Sequence, residues 1–124
     1  MNLTRSGFTL IELLVVMSIV ALLLTIALPR YMGSLDKAKD IALIENLKVV
    51  RSVADRFHSD KGRYPEDLKE LVEQNYLREL PMDPITERSD TWVLIMSPHE
   101  GGGFLDIRSG ATGVSRQGRP YGEY

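Results

Sequence analysis

The sequence predicts an α+β chain: a long amino-terminal α-helix, kinked near Pro29, packed on a small antiparallel β-sheet. Three observations carry this. Residues 8–28 form an apolar run, 17 of 21 positions, interrupted only by Thr9, Glu12, Ser18 and Thr25. Beyond Arg30, apolar residues recur at three- and four-residue steps at Leu43, Leu47, Val50, Ala54 and Phe57, the spacing of one helix face. The last third changes to two short β-rich runs separated by three glycines.

Composition narrows the function classes. A net charge of −2 over 124 residues gives no basic stripe, so no nucleic-acid partner is expected. With no cysteine there is no disulfide framework, thiolate metal site or cysteine nucleophile. The residues beyond position 30 suffice for a modest core but not for a deep enzyme cleft.

The apolar run is close to the roughly 20 residues needed to cross a bilayer as a helix. Arg5 precedes it and Arg30 follows it. The short basic leader places the N-terminus in the cytoplasm and the bulk of the chain across the membrane, with Arg30 pulling weakly the other way. A secretory signal peptide would be cut near Thr25-Ile26-Ala27, but the run is long for such a segment and continues into helical sequence. A plain membrane anchor accounts for length and flanks but not for Glu12, since a carboxylate deep in a spanning helix costs about 2.5–3.5 kcal/mol.

A third reading comes from Gly7-Phe8-Thr9-Leu10-Ile11-Glu12. With its short basic leader, Gly then Phe, Glu five residues after the glycine, an apolar run and then Pro29, the segment resembles the type IV prepilin signal. That signal is shared by type IV pilins and the pseudopilins of type II secretion. The resemblance implies cleavage between Gly7 and Phe8 by a membrane prepilin peptidase, followed by N-methylation of Phe8. Glu12 then falls in the first turn of the mature helix, where the helix dipole favours a carboxylate. In a filament the cationic amine of one subunit can meet Glu12 of its neighbour, a pairing tolerable in an apolar bundle where a lone charge is not. Glu12 is therefore expected to set the axial register between subunits.

The helix is expected to run from about Phe8 to about Lys61, on the order of 80 Å at 1.5 Å per residue. Nothing from Ser34 to Ser59 breaks it, and Gly62 is the expected stop. Leu35 and Ala38 extend the apolar stripe less regularly, and Arg51 with Asp55 and Glu45 with Lys48 stand at ion-pair spacing. Pro29 removes one backbone hydrogen bond, so a kink is expected there, with Gly33 adding to it.

After the turn at Lys61-Gly62-Arg63-Tyr64-Pro65, a second helix is expected from Pro65, at its first position, to about Gln74, with Leu68, Leu71 and Val72 on its apolar side. Leu80-Pro81-Met82-Asp83-Pro84 reads as extended loop. Residues 91–96 and 104–109 read as an antiparallel strand pair across the Gly101-Gly102-Gly103 loop, packed on the helix stripe. A third short strand is expected at 120–124.

This half is similar to the major pseudopilin of type II secretion at Gly62-Arg63-Tyr64-Pro65, at Leu80-Pro81 with Asp83-Pro84, and at Phe104-Leu105-Asp106-Ile107-Arg108-Ser109-Gly110. Members of that family often bind calcium in an Asp-rich loop that staples the end of the chain. Here residues 109–118 contain no carboxylate and one Arg, leaving Asp106 and Glu123 as the flanking candidates. Calcium takes six to eight oxygens. No cofactor is therefore expected, with calcium on Asp106 and Glu123 as the alternative.

An enzyme is not expected. His58 and His99 are the only histidines, and neither has a ligand partner at metal spacing. No nucleophile motif surrounds Ser97 or Ser109, and the three glycines lack the Lys and helix of a phosphate loop. Asp83, Asp90 and Asp106 are expected to cap turns or face solvent, and Trp92 to belong to the core.

The resemblance, taken with these readings, implies a leader at 1–7, a membrane and filament-core helix at 8–30 and a periplasmic globular domain at 31–124. The expected function is a structural subunit of a type II secretion pseudopilus or related filament, a single-pass bacterial inner-membrane protein before assembly. Its expected partners are copies of itself, other pseudopilins or pilins, the prepilin peptidase and an inner-membrane assembly platform. The alternatives are a minor type IV pilin and a membrane-anchored periplasmic binding module that never polymerises.

Overall fold

One helix, α1, runs from Leu10 to Lys61 in a computed structural model that describes residues 5–99 and 101–124. Tertiary contacts divide the chain into two units, residues 1–35 and 36–124. Element order is α1, α2 (Leu68–Glu73), β1 (Val93–Met96), β2 (Phe104–Arg108) and a 3-10 turn, η1 (Tyr121–Glu123). This is the expected α+β arrangement.

In the first unit α1 begins two residues later than expected, because Thr9 forms its cap. Helical structure passes through Pro29, which has no N–H to offer the carbonyl four residues back. The apolar side chains of this stretch are exposed throughout.

In the second unit the helical period of α1 places Leu43, Leu47, Val50, Ala54 and Phe57 on one buried face. Leu68 and Leu71 of α2 and Phe104 and Ile107 of β2 complete the core, with Trp92 and Leu94 packed at its edge. The Phe57 ring meets Tyr76 edge-on at 5.2 Å. Leu35 and Ala38 do not extend the face; both are exposed. Gly62 ends α1 as expected, with φ +74° and its N–H bonded to the His58 carbonyl at 2.8 Å.

α2 is shorter than its sequence suggests. Pro65 is buried ahead of the helix rather than within it. Asp67 is the N-cap, its Oδ1 accepting the Glu70 N–H at 2.8 Å. Glu70 in turn accepts the Glu66 N–H at 2.7 Å and pairs with Arg63, which holds its carboxyl below the usual carboxylate range. Past α2, Asn75 takes a left-handed conformation, φ +63°.

β1 and β2 pair antiparallel as expected, Leu94 opposite Ile107 and Ile95 opposite Asp106, with an irregularity between Ile95 and Met96. The strands are shorter than expected, since the paired ladder runs only between Val93–Met96 and Phe104–Arg108. The Trp92 indole N–H donates to the Pro81 carbonyl at 2.8 Å. The third strand does not form. Only an isolated bridge joins Val114 to Pro120, and Tyr121–Glu123 turns as a 3-10 helix. Pro120 has no N–H to extend a ladder, and the Tyr121 hydroxyl is drawn to Asp40 Oδ1 at 2.7 Å.

Asp83 caps a turn as expected but is buried, and Asp106 neither caps a turn nor faces solvent freely. Asp83 caps a turn through Ile85 N–H, 2.8 Å from its Oδ1, yet it is fully buried. Its Oδ2 accepts the Ser109 hydroxyl at 2.5 Å, and its backbone joins that of Arg88. It thus ties the 80–90 loop to the end of β2. Asp83→Ala should cost about 2–3 kcal/mol, because it leaves buried donors without an acceptor; denaturant unfolding measures this. Asp106 is half-buried and held by Arg51. Arg51 therefore does not pair with Asp55, and among the described residues Glu45 and Lys48 form no ion pair.

Candidate functional site

The head of α1 brings Gly7, Phe8 and Glu12 around one shallow hollow, with Ser6 as the fourth wall. The geometry follows from a capping box. The Glu12 N–H donates to Thr9 Oγ1 at 3.1 Å, and the Thr9 N–H donates to Glu12 Oε2 at 3.5 Å. Thr9 also accepts the Leu13 N–H on its carbonyl at 3.1 Å. The Thr-x-x-Glu spacing was present in the sequence as a cap signature, but the role of Thr9 was not read from it.

Phe8 is 86 % exposed, and a Cβ added at Gly7 would meet nothing within 4 Å. Gly7 also lacks the positive φ seen at Gly62. The chain's own packing therefore gives no reason for a glycine at position 7.

The other two polar residues of the apolar run satisfy themselves. Ser18 donates to the Leu14 carbonyl and Thr25 to the Ala21 carbonyl, both at 2.8 Å. Such back-bonding hides a hydroxyl inside the helix's own hydrogen-bond pattern. By length and composition α1 can cross a membrane: its most apolar 18-residue window has a mean hydropathy of 2.7 and is nowhere buried.

The remaining candidates lie in the second unit. Asp106 Oδ1 accepts both the Arg51 Nε–H at 2.7 Å and the Ile107 N–H at 2.8 Å. Glu123 lies exposed in η1, its carbonyl accepting from Arg119 at 2.6 Å. Among the described residues, no group of three or more His, Cys, Asp or Glu is placed to hold a metal ion. His58 stacks on Tyr64 with ring centroids 4.2 Å apart, and the His99 N–H donates to the Ser97 hydroxyl at 3.3 Å.

A capped apolar helix with a carboxylate in its first turn, followed by a helix-on-hairpin unit, defines a pilin-like class of protein. A family profile described as "Prokaryotic N-terminal methylation motif" matches residues 3–28. The chain is 31 % identical to the type II secretion system core protein G of Klebsiella pneumoniae over 137 aligned positions, covering 97 % of this chain and 94 % of that one. It is 28 % identical to the protein of the same name from Klebsiella michiganensis, covering 90 % and 87 %. A shorter match, 34 % over 70 positions, covers 56 % of this chain and 32 % of the type IV major pilin protein PilA of Myxococcus xanthus. No solved structure matches. The chain belongs to the type II secretion system core protein G family.

Proposed function

We infer that the chain is a structural subunit of a type II secretion pseudopilus, made as a membrane-anchored precursor and polymerised through the head of α1. In this reading a prepilin peptidase cuts between Gly7 and Phe8 and the new Phe8 amine is methylated. Residues 8–30 then hold the chain in the inner membrane with the N-terminus on the cytoplasmic side. Residues 31–124 form the periplasmic head. An assembly platform in the membrane adds subunits to a growing polymer of this chain and related pseudopilins.

The observation that carries this is the hollow at Gly7, Phe8 and Glu12. A glycine that the fold does not need is accounted for by a protease that must bring its own groups close to an extended backbone. A carboxylate capping a lipid-length helix is accounted for by a cationic partner that arrives after cleavage. Family membership and the methylation-motif match support the same reading.

The test is the mass of the protein purified from membranes of an expressing cell. It should begin at Phe8 and carry one added methyl group. A chain that still begins at Met1 would overturn the reading.

A further inference from the structure

The family's calcium staple does not fit this chain, and other residues occupy its role. Calcium takes six to eight oxygens, several of them carboxylate. Segment 109–118 supplies no carboxylate, and Asp106 Oδ1 is already engaged by two N–H donors. One of those donors belongs to a guanidinium, whose fixed positive charge repels a metal ion at the same oxygen.

We propose that Arg51 and Asp40, both on α1, replace a bound cation as the staple of segment 109–124, so that closure of this segment does not depend on divalent metal. The Arg51 guanidinium meets three oxygens as a cation would. Its Nε–H donates to Asp106 Oδ1 at 2.7 Å, and its terminal nitrogen donates to the Ile107 carbonyl at 2.8 Å and the Tyr124 carbonyl at 2.6 Å. One side chain thus joins the helix, strand β2 and the far end of the segment.

Asp40 makes the second attachment, three turns toward the start of the helix. Its Oδ1 accepts the Tyr121 hydroxyl at 2.7 Å, and its Oδ2 accepts the Arg116 N–H at 3.1 Å. Burial first, and then the Asp40 carboxylate, push the Tyr121 phenol up to about 12. A folded-state value raised above the ordinary one near 10 means that the stability held by the protonated Tyr121 is complete below about pH 10 and is lost as pH rises through about 12. Between the two attachments the segment braces itself: the Tyr124 hydroxyl donates to Ser115 at 2.8 Å, and the Arg119 guanidinium lies 4.6 Å over the Tyr124 ring.

The experiment uses the full chain in detergent micelles. Thermal unfolding is followed by Trp92 fluorescence, and trypsin cleavage after Arg116 is timed, each in EDTA and in excess calcium chloride. The wild-type midpoint and cleavage rate should be the same in both. Arg51→Ala should lower the midpoint by about 4–8 °C or more, the shift that 1 kcal/mol produces in a domain of this size, and should speed cleavage after Arg116 in both solutions. Tyr121→Phe removes one bond and should give the smaller loss with the same faster cleavage; it decides the matter if Arg51→Ala does not fold. A wild-type midpoint several degrees higher in calcium than in EDTA would overturn the proposal. So would variants that melt and are cut like the wild type.

Discussion

Glu12→Ala should leave cleavage at Gly7–Phe8 intact while filament yield falls to background. In the proposed reading the cut falls in exposed chain ahead of the helix, so a peptidase that reads this stretch as extended backbone should still cut it. Two things are lost at Glu12 itself. The Thr9 N–H loses the acceptor on Glu12 Oε2, one arm of the capping box, while the Thr9 Oγ1 cap on the residue-12 N–H remains. The larger loss is the negative charge. An incoming Phe8 amine, cationic near neutral pH, would enter an apolar bundle unpaired, and an uncompensated buried charge costs about 3–5 kcal/mol. Repeated at every subunit contact, that penalty is enough to stop polymerisation. Glu12→Gln separates the two effects, since the amide oxygen can still accept from Thr9 but carries no charge. It should fail in assembly as Glu12→Ala does. Filaments of either variant at wild-type yield would refute the pairing.

Gly103→Ala should strongly destabilise the folded unit. The new Cβ would lie 2.4 Å from the Tyr64 carbonyl oxygen, 2.6 Å from its carbon and 2.8 Å from the Pro65 oxygen, all backbone atoms. The last of these also accepts the Phe104 N–H at 2.8 Å, so relieving the clash pulls apart the bond that seats β2 beside the buried Pro65. Overpacking of this kind costs about 1–3 kcal/mol. The φ of +88° at Gly103 adds about 1–2 kcal/mol for a residue with a side chain. The neighbouring Gly102→Ala is the control. It has φ +65° but open space around its Cβ, so it should show the smaller conformational loss alone. Equal midpoints for the two variants in urea unfolding would mean that the close approach at Gly103 contributes nothing.

Much of the fold was readable because it is written in local period. The five buried positions of α1, the glycine stop after Lys61 and the strand pair across residues 101–103 each follow from spacing within a few residues. What escaped the sequence is long-range and polar. Arg51 stands at the right distance from Asp55 for an ion pair, but its partner is Asp106, 55 positions away. Asp83 has the composition of a surface turn residue, and only Ser109, 26 positions on, explains its burial. Asp40 shows no sign in sequence of the hydroxyl it holds 81 positions later. The third strand failed for the same reason, because the attraction of Tyr121 to the helix outweighed its strand-like surroundings. At the head of α1 both the charge of Glu12 and the Thr-x-x-Glu spacing stand in the sequence, and the geometry adds that the two residues bond reciprocally.

The back-bonded hydroxyls of Ser18 and Thr25 bear on how such a segment can change surroundings. A side chain that needed water or a partner would favour one environment and resist leaving it. Here both donors are already spent on Leu14 and Ala21, so the flank from Leu13 to Leu28 offers the same inert face to lipid tails or to other helices. Passage from one to the other leaves the hydrogen-bond inventory of that flank unchanged. Any preference between the two surroundings must then come from outside this flank, the Glu12 carboxylate being the nearest group that carries one.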